Sequence, residues 1–351
     1  MTMRMKDIAK ELGVSVVTIS KVLRDHPDIS DETRERVLSY VKKVDYQPNV
    51  LARSLVTGRS YLVGLIVPDL LHPFFAEIAK SLSQVIGGKG YSLIIASSEE
   101  DPELEAREIR QLQARHLDAL VIASCALNNN SIDKLALHND PYVLIDRNFS
   151  KVKSNFVGTD DEAAGRIATE HLIQMGCRRI AHISGRNNST GYGRLKGYQA
   201  ALQSHGLRYR KEYVVSRPHV DADSIDQGKQ AMQILLGREI RPDGVFCYND
   251  PLAIGAMEKI FEEGLSVPDD IAVIGCGNLH YDSSLRIPLS SIDQQSHAIG
   301  RRAGEVLLEI IESKVPKPPQ KVVLEPTLIA RLSTMRNSAA HSDGPKVKTK
   351  K

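Results

Sequence analysis

The sequence predicts an α/β protein: a small three-helix head followed by a two-lobed body of doubly wound parallel sheets. Three observations carry this reading. Residues 5–45 hold apolar positions at helical spacing, interrupted by turn and capping residues. From residue 61 short apolar runs alternate with longer helix-periodic stretches, the pattern of buried parallel strands joined by helices. Over about 270 residues the strands are too many for one tidy sheet, so two similar lobes are expected.

The head follows from its punctuation. Ile8, Ala9 and Leu12 share one helix face, and Gly13 stands where a C-cap would. Ser15 is placed to cap a second helix running to about Arg24, with Ile19, Val22 and Leu23 turned inward. Pro27 forbids continuation, and Ser30 can cap a third helix whose stripe is Val37, Leu38, Val41 and Val44. The tight turn at Gly13–Val14–Ser15 has the spacing of a helix-turn-helix. Helical geometry leaves Val16, Val17 and Ser20 on or near the outer face of the second helix. Exposed valines opening a helix suit thymine methyls in a major groove, with Thr18 and Ser20 reaching phosphates or base edges and Lys21 a phosphate. The alternative is that Val16 completes the three-helix core.

Residues 46–60 form a connector. Pro48 stops the preceding helix, Asn49 can cap another, and Gly58 ends it. A helix of about eight residues does not hold together alone in water. It is either a frayed linker or a hinge that becomes helical when paired on DNA, with Leu55 wedged into the minor groove.

In the body, strands are expected at Leu62–Val67, Leu93–Ala96, Leu120–Ala123, Val143–Ile145, Ile180–Ile183, Gly244–Phe246 and Ile271–Ile274. Helices are expected at Phe74–Ile86, Leu104–Ala114, Ala163–Met175, Ala253–Glu263 and Ile299–Ile311. Paired doubly wound lobes bind small molecules at the carboxyl ends of their strands, in the cleft between them. Residues 336–351 have the composition of a disordered basic tail, without a leucine heptad that could build tetramers.

Charge and motifs narrow the function. Residues 1–60 carry 11 Lys and Arg against 8 Asp and Glu, and residues 336–351 carry 5 against 1. The rest of the chain is net acidic despite an overall charge of +3, which leaves a basic head on an acidic body. No apolar run approaches the roughly 18 residues of a membrane helix, and Met1–Leu12 holds no long apolar segment of an export signal. A cytoplasmic protein without membrane contact is expected. Cys125, Cys177, Cys247 and Cys276 lie far apart without a CxxC pair, so buried thiols are expected rather than disulfides or zinc. No nucleophile elbow, phosphate-binding P-loop or HExxH zinc helix occurs, which argues against an enzyme. Gly191–Gly197 carries one residue too many for a dinucleotide fingerprint and reads as a turn opening a helix, so no cofactor is expected. His72 and His182 read as structural histidines.

Ten segments together resemble the lac/gal repressor family of bacterial transcription regulators. They are VSVVTISKVL, HPDISDETRERV, YQPNVLARSL, VPDLLHPFF, the IDR at Ile145–Arg147, GTDDEAAG, GRLKGYQAAL, YNDPLAIGAM, VPDDIAVIG and SSIDQ. The likeness runs from residue 5 to about 333 in the family's order and spacing. It implies a homodimer whose two heads read a palindromic operator in double-stranded DNA. It also implies a body like the periplasmic sugar-binding proteins, closing on a small-molecule effector, most simply a sugar or derivative. Closure would alter the spacing at the dimer interface and so decide whether two hinge helices can pair. By the same resemblance, Ser15, Val16, Val17, Thr18, Ser20 and Lys21 match recognition-helix positions, and Arg53 and Leu55 match the hinge. Phe74 matches the position that packs on the ligand ring. Asp146, Arg147, Asp160, Arg194, Asn249 and Asp250 match polar positions around the effector or the lobe crossover, although Asp160 and Asp250 could instead cap the helices they precede. One departure stands out: Gly277 occupies the place where the family puts a ligand-binding aspartate. Either Asn278 compensates for that carboxylate or the effector is not a typical sugar.

Overall fold

The structure, a computed structural model, describes residues 3–23, 26–46, 54, 57–313, 315 and 317–336. Arg53, Leu55, most of the connector and the tail from 337 onward lie outside the described residues. The chain divides into two compact units, Met1–Ser60 and Tyr61–Lys351.

The first unit holds α1 (Met5–Leu12), α2 (Val16–Leu23) and α3 (Asp31–Lys43). Gly13 ends α1 at φ 66°, and its N–H reaches the carbonyls of Ala9 and Lys10. Thr18 N–H donates to Ser15 Oγ at 3.0 Å, the cap that starts α2, and Thr33 N–H donates to Ser30 Oγ at 3.4 Å at the start of α3. Ile8, Ala9, Ile19, Val22 and Val37 form the core. Leu38, expected on the inner stripe, is 45% exposed. It lies one helical step from Val37, beyond the narrow face that α3 turns toward the two shorter helices.

The second unit contains two six-stranded sheets. Its elements are β1 (Leu62–Val67), α4 (Pro73–Gly87), β2 (Ser92–Ser97), α5 (Pro102–Ala114), β3 (Ala119–Ile122), α6 (Asn130–His138), β4 (Tyr142–Ile145), β5 (Asn155–Thr159), α7 (Asp161–Gln174), β6 (Ile180–Ser184) and α8 (Ser189–Ser204). These are followed by β7 (Val214–Ser216), α9 (Ser224–Leu236), β8 (Gly244–Cys247), α10 (Asp250–Glu262), β9 (Ala272–Cys276), β10 (Ser290–Asp293), α11 (Ser296–Glu312), β11 (Lys321–Leu324) and β12 (Thr327–Ile329). The first lobe orders its strands β11-β5-β4-β3-β1-β2, and the second β12-β10-β9-β8-β6-β7. All pairings are parallel except β12 on β10, which is antiparallel and closes one edge.

Each sheet is covered on both faces, as its nearly all-buried central strands require. In the first lobe α4 and α11 cover one face and α5 and α6 the other. In the second lobe α9 and α10 oppose α7 and α8. The α7–α8 contact is backbone to backbone: a Cβ on Gly165 would stand 2.1 Å from the Arg194 carbonyl oxygen, and one on Gly197 2.0 Å from that of Glu162.

The chain crosses between lobes three times, after β5, after β10 and between β11 and β12. The crossings are tied to one another. Thr159 Oγ1 donates to Gln294 O at 2.8 Å, Asp160 N–H to Leu324 O at 3.0 Å, and Gln295 Nε2 to Glu325 O at 2.7 Å. Among the described residues no helix is long and apolar enough to cross a membrane.

Candidate functional site: a recognition helix and an interlobe cleft

In the head, the candidate groove-reading residues lie on α2 and at its start. Val16 is 38% and Val17 62% exposed, whereas Ile19 is fully buried. Ser15 is engaged as the cap of α2, and its hydroxyl lies 2.8 Å from Thr18 Oγ1. Ser20 is half-buried. The Lys21 ammonium sits 2.5 Å from Asp28 Oδ2 and is half-buried, a partner a phosphate would have to replace.

In the body, the cleft is built where strands end. His72 and Phe74 follow β1, Glu100 follows β2, and Asp146 and Arg147 follow β4. From the second lobe come Asp221 after β7, Asn249 after β8 and Gly277 after β9. This is the carboxyl-end placement that doubly wound sheets give to ligand sites.

Arg147 is the electrostatic centre, 2% exposed. From the first lobe its guanidinium reaches the Asp221 carboxylate of the second, while Nε lies 3.3 Å from Asp146 Oδ2. Burial disfavours the Arg147 charge, yet Asp221, Tyr248 and Asp146 outweigh it and hold the group firmly protonated. The two carboxylates diverge. Burial would raise Asp221, but Arg147 overcomes it and lowers its pKa; at Asp146 burial prevails over Arg147 and Arg194 and raises it. Asp221 is therefore the ion partner. Asp146 reaches its place through a positive φ of 59°.

Asn249 does two things. Its Oδ1 accepts from Leu252 N–H at 3.0 Å, capping α10, and its Nδ2 donates across the cleft wall to Val220 O at 2.5 Å. The same Nδ2 stands 3.2 Å from His72 Nε2. Burial lowers the His72 pKa, so the ring is neutral, and its Nδ1 has no hydrogen-bond partner among the described residues. Phe74 is buried against His72 and Phe75.

Arg194 is fully committed. Nε donates to Asp161 Oδ1 at 3.0 Å, Nη1 to Tyr248 O at 2.5 Å and Nη2 to Gln294 Oε1 at 2.5 Å, and the guanidinium lies 4.4 Å above the Tyr248 ring. Through Gln294 it braces the second crossing. Asp160 is exposed, and its side chain accepts from Ala163 N–H at 3.0 Å as the cap of α7. Asp250 does not cap its helix, because Asn249 does. Its carboxylate turns into the lobe, accepting from Ser291 Oγ at 2.6 Å and Leu279 N–H at 3.2 Å.

Gly277 explains itself in the structure. It adopts φ 146°, and a Cβ there would lie 2.7 Å from Asp250 Oδ2. A carboxylate here would strain the backbone and stand against that of Asp250. Asn278 is also occupied: Nδ2 meets Asp293 at 3.3 Å and Oδ1 accepts from Arg331 at 2.5 Å.

Glu100 and Asp221 did not stand out in the sequence, nor did Asp161 and Tyr248. The available signal was position, one to five residues after a strand end. His182 is a core residue, stacked on Phe246 with Nδ1 3.0 Å from Phe246 O. All four cysteines are buried free thiols, and no group of metal-binding side chains occurs among the described residues.

Comparison with known proteins agrees with this architecture. Residues 4–49 match the bacterial regulatory proteins of the lacI family, and residues 169–334 match the periplasmic binding protein-like domain. The HTH-type transcriptional repressor PurR of Histophilus somni is 32% identical over 330 residues, covering 93% of this chain and 98% of that protein. The ribose operon repressor of Halalkalibacterium halodurans is 30% identical over 331 residues, covering 94% and 96%. The transcriptional regulator CelR in complex with cellobiose superposes with a TM-score of 0.72 at 27% identity, over 94% of this chain and 99% of that one. The lac repressor dimer bound to operator shares the fold, with a TM-score of 0.82 at 24% identity over 96% of this chain and all of that one. The capped head, the two-lobed body and these full-length relatives place the chain in the lacI family of bacterial regulatory proteins.

Proposed function

We propose that this family member is a cytoplasmic repressor that binds a palindromic operator as a homodimer under the control of a small-molecule effector, a sugar or a derivative. The observation that carries the DNA half is the open N-terminus of α2. Val16 and Val17 are exposed at the start of a serine-capped helix whose inner face is the core of the head. Apolar side chains there suit thymine methyls, and Lys21, Thr18 and Ser20 supply polar reach beside them. The head (residues 1–45) reads the groove, the connector (46–60) carries Arg53 and Leu55 into the minor groove, and the body (61–335) closes and pairs; residues 336–351 are a basic tail.

In the cleft, Phe74, Asp146, Arg147 and Asn249 face the effector, while Arg194, Asp160 and Asp250 hold the walls and crossings that set its shape. For the homodimer, the first lobe offers one apolar face. Val67, Leu70, Phe75, Ala79 and Ile95 line a groove of about 410 Å³ between α4 and the edge strand β2, and Leu71 beside it is 88% exposed. A second copy covering this face would also protect the unpaired edge of β2.

The test is selection of DNA from a random duplex library, followed by titration of the selected sequence at several salt concentrations. A palindromic site whose affinity falls steeply with salt is expected, because several phosphates release counterions. A flat salt response or an unselective pool refutes the reading. Leu55→Ala should weaken the selected site far more than random duplex.

A further inference from the structure

The lobes are fastened at the edge farthest from their hinge. In the first sheet the crossings attach at β5 and β11, whereas β2 is the opposite edge strand; in the second they attach at β10 and β12, whereas β7 is opposite. Glu100 follows β2, and residues 220–222 follow β7. From β5 to β2 is four strand spacings, roughly 19 Å. A contact there has the longest lever arm against opening.

The contact is specific. Glu100 Oε2 accepts three successive backbone N–H groups from the opposite lobe, of Val220 at 3.0 Å, Asp221 at 3.3 Å and Ala222 at 3.2 Å. Such a nest of amides suits a carboxyl oxygen, and here the chain supplies its own. The Glu100 side chain is fully buried, a position a carboxyl group holds only when hydrogen-bonded. Arg186 of the second lobe donates back to Glu100 O at 2.9 Å. The Arg147–Asp221 ion pair and the Asn249–Val220 bond hold the same 220–222 segment. A further cross-cleft bond, Asn148 N–H to Ser189 Oγ at 3.0 Å, involves none of these groups.

We propose that Glu100 is an internal latch: seated in the amide nest of residues 220–222, it sets the fraction of molecules in which the two lobes are closed before any effector arrives. This rests on the reading of the body as an effector-controlled clamp. An effector then acts on an equilibrium already biased by the protein, and the latch fixes how much differential affinity the effector must supply.

Hydrogen exchange on the full-length protein, without DNA or small molecules, tests this. In wild type the amides of 220–222 and of Asn148 should be protected. Glu100→Ala should speed exchange at 220–222 and also at Asn148, each at least tenfold, with β3 and β8 unchanged. Glu100→Gln keeps an acceptor oxygen and should fall between the two. Rapid exchange at 220–222 in wild type overturns the proposal, as does a Glu100→Ala protein in which Asn148 keeps its protection. If Glu100→Ala also loosens β3 and β8, the Gln variant and Arg186→Ala decide by the same ordering. DNA is absent throughout, so failure here leaves the operator-binding reading standing.

Discussion

Asp282→Asn should flatten the pH dependence of this protein's stability. Asp282 and Asp250 are both fully buried. Ser291 and Leu279 donate to Asp250, and Arg331 comes no nearer to Asp282 than 3.9 Å. Burial first, and then the Asp250 carboxylate, push Asp282 up to about 9. Two adjoining buried carboxyls cannot both ionise, so the pair retains one proton at neutral pH. In the unfolded chain both groups ionise near the ordinary value of 3.8. Between those values the native state binds one more proton than the unfolded state. The stability from that proton is fully present below the unfolded pKa and is lost as pH rises through the folded one. The slope is about 1.4 kcal/mol per pH unit, or roughly 3 kcal/mol from pH 6 to pH 8. That is a sizeable part of the 5–15 kcal/mol typical of a domain. Asparagine is neutral throughout and its amide can donate to Asp250, so this contribution should vanish. Urea unfolding followed by far-UV circular dichroism at pH 6, 7 and 8 measures it. The variant should become more stable relative to wild type by roughly 1.4 kcal/mol per unit as pH rises. Parallel curves for the two proteins would refute the shared proton.

Three further outcomes are expected. Gly165→Ala forces a Cβ against the Arg194 carbonyl oxygen, an overpacking of about 1–3 kcal/mol that should lower Tm by roughly 2–12 °C in a thermal melt. Ser15→Ala removes the cap on Thr18 N–H and should cost the head about 1 kcal/mol, read as faster exchange of the α2 amides with the body unchanged. The third concerns Glu100. Burial and then Asp221 raise its pKa to about 7, against the amides of Ala222 and Asp221 and the charge of Arg147, and His219 stands 3.7 Å away. Opening returns Glu100 to its ordinary 4.5, so closure takes up a proton and should weaken as pH rises through 7. Small-angle scattering should show a larger radius of gyration at pH 8 than at pH 6, with the difference absent in Glu100→Gln. A radius independent of pH in wild type would contradict this.

Much of the fold was legible because apolar runs and caps are local signals. The seven expected strands appear within two residues of their anticipated ends, since each is a short buried run between turn residues. Strands β5, β7, β10, β11 and β12 escaped. They are short or polar, as in Ser290–Asp293, where Ser290 and Ser291 are fully buried yet satisfied by Ser333, Thr334 and Asp250. Long-range partners make such a strand stable, and local composition cannot reveal them. The antiparallel edge β12 was hidden for the same reason.

The sequence by itself determined the helix-turn-helix head, the alternating strands and helices, and the residue types gathered at strand ends, because capping, periodicity and turn chemistry act within a few residues. Only the tertiary structure decided what those side chains do. It turned Asp250 inward, against the place where a side chain on Gly277 would stand. It spent Arg194 on Asp161, Tyr248 and Gln294. It also brought Glu100 to amides 120 residues away. Those outcomes depend on how two sheets meet, and a carboxylate's partners are set by distance in space, which no local pattern encodes.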